Sequence, residues 1–181
     1  VRQPLSILVA DGYAAIGDSA FMTVPIIGSG IGNAIKNSKL LADTIIADKT
    51  EAYSARTLWP YQVCYYKKMG AGIAPLAAVK LLLTRISRQQ LDYAIDAGIL
   101  THHEMTITAN HTSIWKFINF DPKILCRGLA LLKDKDLTKK GIRVVKDVIK
   151  IIKVCRKMPK EFERKTVLEW AAQYDKIFTA K

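Results

Sequence analysis

The stretch from Gly17 to Ser38 constrains this chain more than any other part of it. A β-rich run ends in Gly17-Asp18-Ser19-Ala20-Phe21, a turn follows through Pro25 and Gly28-Ser29-Gly30-Ile31-Gly32, and a helical pattern continues to Ala47. Strand, glycine turn, helix is an order that brings backbone up to a ligand. Glycines lack the Cβ that would hold a bound molecule away, and the first turn of a helix carries N–H groups without intrahelical partners at the positive end of the dipole. An Asp that closes a strand beside a glycine presents a carboxylate able to accept hydrogen bonds from hydroxyls. The bland alternative is that Asp18 caps a turn and the glycines only permit close packing.

The flanking sequence predicts how this corner is embedded. Leu5 to Ala10 and Tyr13 to Ile16 read as the strands of a β-hairpin turning at Asp11-Gly12, a dipeptide that tolerates positive φ. Helical patterns are expected from Ile31 to Ala47, from Ala52 to Lys68 with a kink at Pro60, and, after a break at Gly70 to Pro75, from Leu76 to Ile86. Ser87 is placed to cap a further helix that ends before Gly98. Thr101 to Thr112 has no clear period, and Asn119 to Pro122 is a turn-rich break. Three more helices follow, over Pro122 to Lys133, Leu137 to Met158, and Pro159 or Lys160 to Phe178.

The ordered signature resembles the second FAD-binding motif of flavoproteins with the p-hydroxybenzoate hydroxylase fold. Gly17, Asp18, Ala20, Pro25, Gly28 and Gly30 match that motif. Aromatic hydroxylases of the superfamily usually carry His, Gln and Asp where this chain has Phe21, Ser29 and Asn37. The run Gly30-Ile31, then Ala34-Ile35-Lys36-Asn37-Ser38, looks more like the geranylgeranyl reductase branch. The resemblance implies FAD as cofactor, with NAD(P)H as an electron donor and a lipid-like substrate. It places Gly17 and Asp18 at the ribityl chain, and Pro25, Gly28, Ser29, Gly30, Ile31 and Gly32 along the isoalloxazine edge. Amides from about Gly30 to Gly32 would stabilise the negative charge that gathers on a reduced flavin. The third glycine of a dinucleotide fingerprint is missing after Gly28 and Gly30. In the resembling family that fingerprint lies N-terminal to the segment seen here, so the chain is expected to be part of a longer protein, inactive alone.

Charge is concentrated at the other end. The net charge is +12, and from Asp121 to Lys181 there are 17 Lys and Arg against 8 Asp and Glu. Within this region, Leu137 to Met158 sets Ile142, Val145, Val148, Ile149 and Ile152 against Lys139, Arg143, Lys146, Lys150, Lys153 and Lys157 at helical spacing, a basic amphipathic helix. Its cationic side suits a peripheral contact with anionic membrane, although a solvated face is the commoner use of such a pattern. No nucleic-acid partner is expected, because exposed-looking aromatics do not interleave the basic residues.

Other features carry less. Cys64, Cys126 and Cys155 lack metal or disulfide spacing, and His102-His103-Glu104 puts Ile107 where a zinc helix needs its second His, so no metal is expected. Asn110-His111-Thr112 has the glycosylation pattern without a secretory signal. Trp59, Tyr61, Tyr65 and Tyr66 could line a pocket, but core packing is the default for that spacing. No apolar run reaches the roughly 18 residues of a membrane span.

The expected fold is mainly α with an N-terminal β-hairpin, the C-terminal portion of an FAD-binding α/β Rossmann-like oxidoreductase. Residues 1–50 would close the FAD-binding domain and 51–181 would form a helical region. The expected activity is hydride transfer from reduced flavin to an unsaturated, isoprenoid-like substrate, in a cytoplasmic and membrane-peripheral protein; flavin monooxygenation and a non-catalytic helical binding module are the alternatives.

Overall fold

The structure, a computed structural model, describes residues 3–101 and 129–179. His102-His103-Glu104, Asn110-His111-Thr112, Cys126, the turn at 119–122 and most of the helix expected over 122–133 lie outside the described residues. Among the described residues the chain is mainly helical with one two-stranded antiparallel sheet. Strands β1 (Val9–Ala10) and β2 (Tyr13–Ala14) pair Val9 with Ala14 and Ala10 with Tyr13 around Gly12, whose φ is +68°. Helix α1 spans Ile31–Ala47, α2 Ala55–Tyr65, α3 Ala71–Leu83, α4 Arg88–Asp96, α5 Lys135–Arg156 and α6 Arg164–Thr179.

The hairpin is shorter than its sequence runs suggested, because the first strand finds other partners. The amide of Ala15 still donates across the hairpin to the Leu8 carbonyl at 2.7 Å, but that of Leu5 donates to Ala20 at 3.2 Å. Along residues 6–8 the buried side chain of Gln62 stands in for a neighbouring strand: its Oε1 accepts from the Leu8 amide at 2.7 Å and its Nε2 donates to the Ser6 carbonyl at 2.8 Å. A helix side chain thus satisfies backbone groups that would otherwise need a ladder.

Helix α2 starts at Ala55 rather than Ala52, since Glu51 and Tyr53 are held at φ of 52° and 44°. Its N-terminus is tied down by the Ser54 hydroxyl, which accepts from the Thr57 amide, and by Asp11 in the hairpin turn, which accepts from the Ala55 amide at 2.7 Å. The break expected at Gly70 to Pro75 does not occur. Tyr66–Gly70 forms a π-helical turn leading directly into α3, with the Ala71 amide reaching the Tyr66 carbonyl, and Pro60 and Pro75 both sit inside helices. Burial outweighs the proline penalty of about 3 kcal/mol: Gly72 to Ala78 is buried throughout, mainly against α5. Gly70 permits the turn, because a Cβ there would stand 2.7 Å from the Tyr65 ring.

Helix α4 has the cap expected at Ser87, which Gln90 completes into a capping box, and Gly98 beyond it has φ of +67°. Helix α5 begins at Lys135 behind Asp134, whose carboxylate accepts from the amides of Asp136 and Leu137 at 2.9 Å. Helix α6 starts at Arg164, later than expected, where Glu163 accepts from the amides of Lys165 and Thr166.

One core joins the hairpin, α2, α5 and α6. Trp59, Tyr61, Tyr65, Tyr66, Trp170 and Tyr174 are buried in it. Edge-on ring contacts of 5.4 Å (Tyr66–Trp170) and 6.0 Å (Tyr66–Tyr174) clamp the π turn to α6. The hydroxyls tie this cluster to the N-terminal segment: Tyr61 donates to the Ala15 carbonyl at 2.9 Å, Tyr66 to Leu5 at 2.6 Å and Tyr174 to Pro4 at 2.9 Å. The aromatic group therefore packs the core.

The α5 helix departs most from its sequence pattern. Leu137, Ile151, Cys155 and also Asp147 are buried, Val148 and Ile152 are half-buried, and Ile142, Val145 and Ile149 face outward. Helix α3 contributes an apolar surface long enough to take the side of α5 that carries Asp147, which leaves the three branched residues uncovered.

Candidate functional site

Residues 17–33 fold into a compact corner. Gly17–Ala20 makes a 3-10 turn that ends at Phe21, and Gly17, Phe21 and Gly28 are left-handed, with φ of +61°, +51° and +72°. Only glycine adopts that region freely, so Phe21 is a strained position that the surroundings must hold. The Phe21 amide donates to Asp18 and the Met22 amide to Gly17, closing the turn. The following loop closes on itself: the Val24 amide donates to the Ser29 carbonyl and the Gly28 amide to Val24, each at 2.9 Å. Pro25 is buried in this loop, and Val24, Ile26 and Ile27 pack with Leu76 of α3 and Val148 and Ile152 of α5, so the loop rests on the helical layer.

The corner brings Asp18 to the start of α1. The exposed carboxylate of Asp18 accepts a hydrogen bond from the buried Thr23 hydroxyl at 2.6 Å. Gly30 is the residue ahead of α1, and a Cβ on it would lie 2.7 Å from Thr23 Oγ1 and 3.4 Å from Asp18 Oδ1. Only a glycine allows the helix end to come this close to the Thr23 hydroxyl that holds the carboxylate. The helix has no side-chain cap, and its first intrahelical bond runs from the Ala34 amide to the Gly30 carbonyl. Among the described residues the amides of Ile31, Gly32 and Asn33 have no partner, in line with the orphaned donors of a helix start. Ile31 is exposed, while Ser29 and Gly32 are half-exposed beside it and Gly28 is open, with no atom within 4 Å of where its Cβ would be.

The helix is fixed from its buried side. Asn33 Nδ2 donates to the Met22 carbonyl at 3.1 Å, and Asn37 Nδ2 donates to the Asn33 carbonyl at 2.7 Å. This ladder pins the first two turns of α1 to the turn that carries Asp18. Chemically, the corner offers a hydroxyl-accepting carboxylate and, across Gly30, a row of backbone donors with a positive dipole end. All eight residues singled out in the sequence lie on this corner. Thr23, Asn33 and Asn37 were not among them; two asparagines one turn apart on the side of α1 that should be apolar were the available signal for the latter pair.

No protein-family model matches the chain. A similar protein does occur among curated ones, and it is a reductase of a geranylgeranyl lipid. It is the digeranylgeranylglycerophospholipid reductase of Sulfolobus acidocaldarius, 30% identical over 105 residues, which is 58% of this chain and 23% of the relative. The chain thus matches less than a quarter of the length of that relative. The resemblance to the geranylgeranyl reductase branch, read from Gly17 through Ser38, is borne out by this partial match.

Proposed function

We propose that this chain forms the C-terminal part of an FAD-dependent reductase acting on an unsaturated isoprenoid lipid. The observation that carries the reading is the Asp18 carboxylate, held by Thr23 across Gly30 from three unpartnered amides of α1. The donor set suits a flavin: hydroxyls of a ribityl chain match an acceptor-only carboxylate, and the electron-rich edge of the ring system matches backbone N–H groups at a helix start. When bound, FAD supplies a hydride taken from NAD(P)H and delivered to one carbon of a double bond, the other carbon gaining a proton.

The chain's own residues do the positioning. Thr23 fixes the direction of the Asp18 carboxylate. Gly28 and Gly30 keep side chains out of the approach, and the amides of Ile31 to Asn33 favour the more negative, reduced state. Residues 1–50 then belong to a flavin-binding domain whose remaining parts lie elsewhere in the protein, and 51–181 form the helical region beneath it. The relative, by name a reductase of a geranylgeranylated phospholipid, supports reduction over oxygenation.

The test is anaerobic. The protein expressed from its native gene is reduced under nitrogen and mixed with a geranylgeranylated glycerophospholipid. Reoxidation of the flavin by the lipid, with saturation of its double bonds, is the expected result. A flavin that the lipid leaves reduced under nitrogen, and that is reoxidised with a hydroxylated product only once oxygen is admitted, would contradict it.

A further inference from the structure

The exposed side of α5 combines two properties that a solvated helix face does not need together. Ile142, Val145 and Ile149 are 51%, 58% and 46% exposed and follow one another at three- and four-residue spacing, so they form one stripe along the helix. Beside that stripe stand the exposed Lys139, Lys146, Lys150 and Lys153, at successive spacings of seven, four and three. Lys146, Lys150 and Lys153 form no ion pair among the described residues. The one acidic side chain in the middle of the helix, Asp147, is buried away from the aliphatic stripe, and Asp136 at its start is neutralised by Lys140 at 2.7 Å.

The cationic field continues onto α6. Arg143, Lys146 and Lys150 line a groove of about 420 Å³ together with Lys176, Gln173 and the edge of Asp147. Just ahead of α5, Leu129 and Leu132 are exposed as well. The result is a ridge of branched aliphatic side chains flanked by cations.

From this ridge we infer that α5 docks flat on an anionic lipid bilayer, with Ile142, Val145 and Ile149 entering the headgroup region and the lysines meeting lipid phosphates. Charge complementarity selects this occupant. A second copy of the chain would oppose one row of lysines to another, and a nucleic acid would leave three branched aliphatics against a phosphate backbone with no exposed aromatic on this helix to stack a base. The inference concerns a surface separate from the corner at Asp18 and stands whether or not the chain binds flavin.

The test is co-sedimentation of the full chain with vesicles of phosphatidylcholine alone and of phosphatidylcholine mixed with phosphatidylglycerol. Pelleting with the mixed vesicles, little with the neutral ones, and release by salt are expected. The variant Ile142→Ser/Val145→Ser/Ile149→Ser should partition about tenfold less, and Lys146→Glu/Lys153→Glu should lose at least about fivefold per reversed charge. Both should keep the wild-type circular dichroism spectrum and melting temperature, because the changed side chains are exposed. The proposal is overturned if neither vesicle pellets the chain, if both variants pellet like wild type, if neutral vesicles work as well as anionic ones, or if the same lysines retard an oligonucleotide while vesicles are ignored.

Discussion

Thr23 decides more than its place in the sequence suggests. Its hydroxyl is the only group among the described residues that orients Asp18, and it fills the space a Cβ on Gly30 would need. Thr23→Val should leave the fold intact and weaken flavin affinity about three- to tenfold, the worth of one hydrogen bond, measured by flavin fluorescence titration. Gly30→Ala must move Thr23 and should cost about 1–3 kcal/mol of stability as well as flavin affinity, read from denaturant unfolding. A contact between Asp18 and a threonine five residues on depends on the left-handed turn at Phe21, which no propensity of Phe signals. Buried polar groups elsewhere give a sharper contrast. Gln62→Leu would strand the Leu8 amide and the Ser6 carbonyl and should destabilise by about 2–4 kcal/mol. Among the described residues the buried Tyr65 hydroxyl has no partner, whereas that of Tyr66 donates to Leu5 at 2.6 Å. Tyr65→Phe should therefore be neutral or stabilising, and Tyr66→Phe should cost about 1–2 kcal/mol, in the same unfolding experiment.

At the scale of elements, the helix starts carry the acid sensitivity. Hydrogen bonds from the Thr166 hydroxyl and amide and from the Lys165 amide hold the Glu163 carboxyl below its usual range. The Leu137 amide, then Gln90, do the same for Asp134. A depressed folded value means that each group contributes stability above its ordinary unfolded value of about 4, and loses it as pH falls through the lower folded value. Acidification should thus fray α5 and α6 first, and Glu163→Gln should flatten part of the dependence of melting temperature on pH below about 5. Helix existence was legible from caps and periodicity: α1, with bounds Ile31–Ala47, and the Ser87 cap follow from residues that act locally. What failed was any inference needing the partner surface. The glycine–proline stretch at 70–75 continues as helix because aromatic rings and α5 press on it, and the period of α5 gave its apolar residues but not which of them α3 would cover.

For the whole molecule, the aromatic core ties the first residues of the chain to the last helix, through Tyr61, Tyr66 and Tyr174. Burial pushes the phenols of Tyr61, Tyr65, Tyr66 and Tyr174 well above their ordinary value, and the Cys155 thiol up to about 12. Raised folded values mean stability that is complete below the unfolded value and is lost as pH climbs past it. The fold should hold to about pH 10 and then open cooperatively, with the phenolate absorbance of the four buried tyrosines and Cys155 alkylation rising together rather than ahead of unfolding. The corner at Asp18 is built on this core through Ala15, Ala20 and Met22, so core and site should fail as one unit. The glycine corner itself was legible because the left-handed turns at Gly17 and Gly28 and the close approach at Gly30 call for glycine. The bearing of that corner on the helical layer, through Ile26 and Ile27, was not, since it joins residues more than a hundred positions apart. The role proposed for the corner depends above all on a flavin held at Asp18. The most direct measurement is the visible absorption spectrum of the protein expressed from its native gene, beside that of Asp18→Ala. Flavin bands near stoichiometry in the wild type, lost in the variant while its circular dichroism is unchanged, are the predicted result. A colourless wild type that takes up no added FAD, or a variant that keeps its flavin undiminished, would contradict it.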